Sequence, residues 1–312
     1  MNEESFRSGF VAVIGRPNVG KSTLVNALLG QKIAAVSPKP QTTRRRQLGI
    51  LTNDSAQIVF VDTPGMHVAR HKLGEFLNQE AQESLEHVDA ILFLVDASDE
   101  PTEEDKAVAD LLNRVSMRTP RFLVLNKVDL LAPEAIPARA EEYSKLLLQP
   151  KVQEVSARKG QGLDELIAAL TVVLPKRPPE YPEDQVTDSY ERDIAADLIR
   201  EAALLNLRDE VPHGIAVRID EFAERENGMA YIAATLFVER ESQKGIVIGE
   251  GGLMLKRIGS SARKEIESMG GRPVFLELRV KVLKEWRKDE NALQRFGYKI
   301  KGGKKKDTRK KK

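Results

Sequence analysis

The chain of 312 residues contains no cysteine. Disulfides, thiolate metal sites and cysteine nucleophiles are therefore excluded, and a reducing compartment suits that composition. Aromatic residues make up only 5% of the chain, with one tryptophan, so the cores must be built mainly from aliphatic side chains. Long apolar runs are lacking as well, and none approaches the ~18 residues of a membrane span. Residues 1–5 lead almost directly into a β-rich run, which leaves no room for a secretory signal. The expectation is a cytoplasmic globular protein of about two domains. The net charge is only +2, but it is unevenly spread: residues 299–312 carry nine Lys/Arg and one acid, which leaves residues 1–298 at −6. That basic end is too polar to pack and is expected to be disordered, either as a solubilising end or as a binder of polyanions.

Up to Leu174 the pattern alternates short β-rich runs (10–14, 57–61, 90–95, 121–125 and 152–155) with amphipathic stretches such as 72–85, 103–115 and 163–174. This is an α/β grammar: a mostly parallel sheet covered by helices on both faces. Four prolines within 174–182 then interrupt the chain, and residues 175–185 read as an extended linker between a domain 1–174 and a domain 186–298. Beyond it the expected order is helix (188–207), strand (214–221), strand (229–239), helix (252–269), strand (273–282), a small α+β unit with its own core.

The first β-rich run ends in Gly15-Arg16-Pro17-Asn18-Val19-Gly20-Lys21-Ser22-Thr23 and opens onto a helical pattern. This fits G-x-x-x-x-G-K-S, whose backbone N–H groups curl around phosphates while Lys21 reaches the β/γ-phosphates and Ser22 ligates Mg²⁺. Three further elements follow other candidate strands, at the sheet end where ligands collect in open α/β folds. Asp62-Thr63-Pro64-Gly65 supplies a carboxylate to the metal side and a glycine N–H to the γ-phosphate. Asn126-Lys127-Val128-Asp129 places a carboxylate that can accept from N1–H and the exocyclic amine of guanine, a donor pair that adenine lacks, with the Lys127 stem over the base. Ser156-Ala157 offers a backbone N–H to guanine O6. The expected cofactors are GTP or GDP with Mg²⁺.

In the second half, Lys244-Gly245-Ile246-Val247-Ile248 runs as an apolar segment into Gly249-Glu250-Gly251-Gly252 and then a helix bearing Lys256 and Arg257. A G-x-x-G turn before a helix is the KH signature for single-stranded RNA: glycines admit the nucleic-acid backbone, Ile246, Ile248, Leu253 and Leu255 form a groove, and Lys244, Lys256 and Arg257 meet phosphates. The element order matches the type II KH fold.

With these motifs in this order, the chain resembles the translation-factor class of GTPases and, specifically, the Era family of ribosome-associated GTPases. The resemblance implies a slow, Mg²⁺-dependent GTPase that binds the 3′ region of small-subunit ribosomal RNA and acts in assembly of that subunit. It also implies a monomer in the cytoplasm, with peripheral contact to the membrane as an option. Pro40-Gln41-Thr42-Thr43-Arg44-Arg45-Arg46 falls where such proteins carry the first switch, and Thr43 is favoured as the Mg²⁺ and γ-phosphate threonine, with Thr42 as the alternative. Lys21, Thr43 and Gly65 are the expected catalytic set. Where Ras-like enzymes place a water-orienting glutamine, this chain has Met66, and Arg44, Arg45 and Arg46 are candidates for an arginine finger. Asn18 resembles the loop asparagine that helps hold a monovalent cation, K⁺, beside the phosphates in GTPases without that glutamine. His67 and His71 share i, i+4 spacing in the second switch without an evident third ligand. Two other classes stay open at this point: a signalling GTPase whose second domain docks a protein or membrane, and an RNA-binding module whose GTP site only supports folding.

Overall fold

The computed structural model describes residues 5–39, 41–66, 71–226 and 228–298; His67 and the basic end therefore lie outside the described residues. In the first unit the elements run β1 (Arg7–Ile14), α1 (Lys21–Leu29), β2 (Gln47–Thr52), β3 (Ala56–Asp62), α2 (Lys72–Glu83), β4 (Ala90–Asp96), α3 (Glu103–Leu112), β5 (Arg121–Asn126), α4 (Ile136–Ser144), β6 (Lys151–Glu154) and α5 (Leu163–Val173). The sheet order is β2-β3-β1-β4-β5-β6, with β2 antiparallel to β3 and every other pairing parallel. The central strands read as unbroken apolar runs because both of their faces are covered. Val11 and Val13 of β1 meet α1 and α5 through Leu24, Leu28, Leu166 and Leu170. Ala12 and Ile14 point the other way, toward Val108 and Leu112 of α3 and Tyr143 of α4.

Two elements of this unit lie beyond the expected pattern. β2 is absent from the strands expected from sequence, yet Leu48 and Ile50 pack on Val59 and Val61 of β3. Its outer edge does not stay open. Ile50 N–H donates to Val186 O at 2.8 Å, and Leu48 N–H to Asp188 Oδ1 at 3.2 Å. The second unexpected element is α4, a charged helix that buries only Tyr143 and so gives little periodic signal. The proline-rich segment is extended and anchored: Gln57, fully buried, accepts from Glu180 N–H (2.7 Å) and Tyr181 N–H (3.0 Å) and donates to Tyr181 O (2.8 Å).

The second unit contains α6 (Glu191–Asn206), β7 (Ala216–Glu224), β8 (Ala230–Val238), α7 (Glu241–Ile248), α8 (Leu253–Gly270), β9 (Val274–Val282) and α9 (Glu290–Arg295). Its sheet runs β7-β8-β9, antiparallel then parallel. The apolar run 244–248 is a correction to the sequence reading. It is helical, the end of α7, and with α9 after the last strand the unit has two helices more than the expected order. Gln243 Oε1 accepts from the N–H groups of Glu239 and Arg240 to start that helix, and Gly249 at φ 71° ends it. Among the described residues, no helix is long and apolar enough to cross a membrane.

Candidate nucleotide site and nucleic-acid groove

The glycine-rich loop is held in place from outside by Arg16, which pairs with Asp99 (2.8 Å) and with Asp105 (3.2 Å). Asp105 in turn closes a capping box with Thr102 at the start of α3. Within the loop Lys21 is buried, and its ammonium donates to Gly15 O (3.0 Å) and Arg16 O (2.9 Å). Val19 belongs to the core, so its share of the site is backbone only. Asn18, Gly20, Ser22, Thr23, Thr43 and Gly65 line the cleft. Gly65 is needed here for close approach: a Cβ on it would lie 2.7 Å from Pro17 Cα.

Three oxygens converge at the foot of the cleft. Ser22 Oγ lies 2.7 Å from Thr43 Oγ1 and donates to Asp62 Oδ2 at 2.7 Å. Thr42 turns away and donates to Lys39 O at 2.7 Å. Asp62 is fully buried, and its Oδ1 has no hydrogen-bond partner among the described residues. An orphaned buried carboxylate oxygen beside two hydroxyls is a donor set for a hard divalent cation such as Mg²⁺. Burial pushes the Asp62 carboxyl up to about 6, against the Ser22 hydrogen bond and the Lys21 charge. Burial also lowers the Lys21 ammonium to about 8, with Asp62 acting in the opposite sense.

At the other end of the cleft, Asn126 ties the base loops together, donating to Val19 O (2.8 Å) and accepting from Ala157 N–H (3.0 Å). Since the Ala157 N–H is engaged, a guanine O6 would share that donor. Lys127, at φ 65°, pairs with Asp96. Asp129 accepts from Ser156 Oγ at 2.6 Å.

Both segments beside the γ-phosphate end are gripped by the second unit. Arg44, 2% exposed, donates to Ile215 O (2.7 Å) and His213 O (3.1 Å) and lies 5.5 Å from the centre of the Trp286 ring. Arg200 of α6 reaches back to Gln41 O (3.2 Å) and Thr42 O. Lys39 donates to Leu207 O and Arg45 to Phe296 O. α2 follows suit, burying Leu73, Phe76 and Leu77 against Trp286, Leu293, Phe296 and Tyr298. Arg44 and Arg45, taken from sequence as candidate fingers, are thus directed into the second unit and away from the phosphates. His71 serves as the N-cap of α2, its Nδ1 accepting from Gly74 N–H at 3.2 Å. Among the described residues no cluster of His, Asp or Glu is arranged to hold a metal through three such side chains.

In the second unit Gly249, Gly251 and Gly252 all have positive φ, so the G-x-x-G turn takes a path that other residues adopt with strain. A groove opens between α8 and the edge strand β9, lined by Gly252, Leu255, Lys256, Gly259, Ser260, Arg263, Phe275, Leu276 and Leu278. Of the residues expected there, Gly252, Leu255 and Lys256 face it. Lys244, Ile246, Ile248, Gly249, Glu250, Gly251, Leu253 and Arg257 are not among its lining residues; Ile246 and Leu253 are exposed. The missed α8 residues were legible in principle, since Leu255, Gly259 and Arg263 repeat at i, i+4, i+8. The β9 wall was not.

The displaced titration of Asp62 has a measurable sign. In protein free of nucleotide and metal, folded Asp62 holds its proton more tightly than the unfolded chain, whose carboxylate titrates near ~4. Its contribution to stability therefore falls as pH rises through that window, and the cost is complete above about 6. Asp62→Asn should leave the unfolding free energy of ligand-free protein unchanged near pH ~4 and raise it by on the order of 2–3 kcal/mol at neutral pH. Urea titrations in a chelating buffer measure this, and a pH-independent difference would contradict the assignment.

The comparisons agree with this geometry. A family model described as 50S ribosome-binding GTPase matches residues 10–127, and one described as KH domain matches residues 210–287. GTPase Era of Ruminiclostridium cellulolyticum is 48% identical over 95% of this chain and 98% of its own length. GTPase Era of Geobacter metallireducens is 48% identical over 96% of this chain and 100% of its own. Among solved structures, Era in complex with MgGDPNP and nucleotides 1506–1542 of 16S ribosomal RNA aligns with a TM-score of 0.88 at 40% identity, over 95% of this chain and all of that one. An Aquifex aeolicus Era variant bound to GDP and AlF₄⁻ gives 0.89 at 39% identity, with the same coverage. A P-loop sheet and a KH groove in one chain, with relatives this similar along its whole length, make the protein a member of the GTPase Era family.

Proposed function

We propose that this protein is a GTP-hydrolysing switch that binds the 3′ region of small-subunit ribosomal RNA through its KH groove and acts in small-subunit assembly. The observation that carries the reading is the position of Thr43. It meets Ser22 at the metal end of the cleft while its neighbours on both sides are held by the unit that contains the groove. We take residues 1–174 as the GTP-binding domain, 175–185 as the linker, 186–298 as the RNA-binding domain and 299–312 as a basic tail.

Ser22, Thr43 and Asp62 would hold Mg²⁺, which when bound offsets charge on the β- and γ-phosphates. Lys21 exchanges its two carbonyl partners for phosphate oxygens, and the Gly65 N–H donates to the γ-phosphate. Asp129 reads guanine, with Lys127 against the base and Asn126 fixing both loops. Water attacks the γ-phosphorus in line, the bond to the β-phosphate oxygen breaks, and GDP and phosphate leave. Met66 packs on the apolar core beside α3 and has no group to orient that water, so backbone and switch atoms must do so and turnover is slow. Once the γ-phosphate has gone, Thr43 and Gly65 lose their contact, and segment 39–45 is free to let go of the second unit.

RNA bases lie in the groove over Leu255, Leu276 and Leu278, with Lys256 and Arg263 at the phosphates; Lys244 and Arg257 extend the basic rim beyond it. The protein works as a cytoplasmic monomer, and its tail adds sequence-independent contact to polyanions, the anionic membrane face included.

Two measurements test this reading. Gly251 has open space around it, and its φ of 55° is tolerated by aspartate better than by most residues, so Gly251→Asp should fold, keep its GTP affinity and lose RNA affinity by about tenfold or more. Undiminished RNA binding by that variant would remove the KH assignment. Asn18, exposed at the cleft with φ 65°, is proposed to help hold K⁺, whose fixed charge favours the developing negative charge. Hydrolysis should be several-fold faster in K⁺ than in Na⁺ at constant ionic strength, and equal rates would exclude the ion.

A further inference from the structure

A further cavity, of about 310 Å³, opens between the two units, and none of its lining residues belongs to the nucleotide loop. Six arginines line it: Arg44, Arg45, Arg192, Arg200, Arg218 and Arg295. Asp193 and Asp197 oppose them among the described lining residues, and Asp220 pairs with Arg218 at 2.7 Å from just outside the lining, so an excess of three positive charges remains. Most of these guanidiniums are held open by neutral carbonyls, with few carboxylates to neutralise them. Arg192 donates to Ile219 O at 2.6 Å, Arg44 to Ile215 O and His213 O, Arg200 to Gln41 O and Thr42 O, and Arg45 to Phe296 O. Three of the six have a carboxylate partner: Arg200 pairs with Asp197 at 2.8 Å, Arg218 with Asp220 at 2.7 Å, and Arg45 lies 3.7 Å from Asp193.

Like charges gathered in a partly desolvated cavity repel one another, and carbonyl partners fix their direction without cancelling their charge. Arg44 shows the deficit most clearly. It is 2% exposed, and its Nε is buried with no hydrogen-bond partner among the described residues. Burial lowers its ordinary guanidinium affinity for the proton, to about 10, which an anion in the cavity would reverse. Planar N–H forks arriving from several sides suit the tetrahedral oxygens of phosphate.

We propose that this cavity is a second phosphate site, separate from the nucleotide loop, that takes either a backbone phosphate of bound RNA or a free oligophosphate. Because Arg44 and Arg45 follow Thr43 directly and Arg200 holds the carbonyls before it, an anion there stiffens the segment that carries the switch threonine. The ligand bridges both units and favours their docked arrangement.

The test uses the full chain with its nucleotide site saturated by MgGDPNP, so that the loop cannot take up the probe. Inorganic tripolyphosphate, with Mg²⁺ in molar excess over it, is titrated calorimetrically into wild type and into Arg218→Gln/Arg295→Gln. Both proteins carry the same basic tail, so its contribution cancels. Wild type should bind tripolyphosphate at least tenfold more tightly than the variant, with equal GDPNP affinity in both. A second arm, the only one resting on the proposed RNA function, measures the salt dependence of binding to single-stranded RNA from the small-subunit 3′ region. If an RNA phosphate occupies the cavity, the slope of log affinity against log salt is shallower in the variant by about 1.4, two contacts at roughly 0.7 each. An unchanged slope with lost tripolyphosphate binding assigns the site to a free oligophosphate. No tripolyphosphate uptake by wild type, or equal uptake by the variant, overturns the proposal whatever the RNA arm returns.

Discussion

The arrangement of this molecule depends on one short stretch of backbone belonging to two folding units at once. Lys39 and residues 41–45 present Thr43 to Ser22 on one side and send Lys39, Arg44 and Arg45 into the second unit on the other. Arg44 is the most buried of these ties, its two terminal nitrogens held by carbonyls and its plane lying near the face of Trp286. Trp286 is itself fixed by donating Nε1–H to Gly214 O at 2.8 Å. Truncating Arg44 would leave the buried Ile215 carbonyl unpaired, a cost of about 1–3 kcal/mol for a group that water cannot reach. α2 adds an apolar counterpart to this polar grip. Neither segment can move alone without exposing surface that the second unit now covers.

The linker makes that sharing effective. An extended proline-rich connection in isolation would let the two units drift, but this one is bound to the sheet through Gln57 and along β2. It covers the edge strand that would otherwise offer unpaired N–H and C=O groups to another chain. The path from Leu174 to α6 is thereby fixed, and the relative position of groove and cleft rests on hydrogen bonds that do not involve the nucleotide. Lys32 adds a further bridge, 2.8 Å from both Glu201 and Glu265.

What the sequence made legible follows from range. Phosphate binding at Gly15–Ser22 is local chemistry, a strand, a tight loop and a helix start, and it can be read without knowing anything distant. The same holds for the order of Asp62, Asn126 and Ser156 at successive strand ends. The choice between Thr42 and Thr43 was not local: in the structure one hydroxyl turns to Lys39 O and the other to Ser22 Oγ, and only the folded path of the loop separates them. β2, although it forms a local hairpin with β3, was missed because its outer edge is completed only by residues near 186. α7 was hidden because an apolar run of five residues has no readable period and only its ends declare it a helix. The role of Arg44 was hidden most completely. Its partners are main-chain oxygens about 170 residues away, and carbonyls carry no side-chain signature that a sequence can show.

The shared segment implies that nucleotide state and RNA affinity are linked, and linkage of this kind is reciprocal. The most direct measurement is the ratio of RNA affinities in the GDPNP and GDP forms, taken for the full-length wild type and for Arg44→Ala under one salt condition. Wild type is predicted to show a ratio of about fivefold or more, with RNA changing the relative affinity for GDPNP over GDP by the same factor, and Arg44→Ala a ratio near one with each nucleotide still bound. An Arg44→Ala protein that binds both nucleotides and keeps the full wild-type ratio would show that the two units communicate by another route.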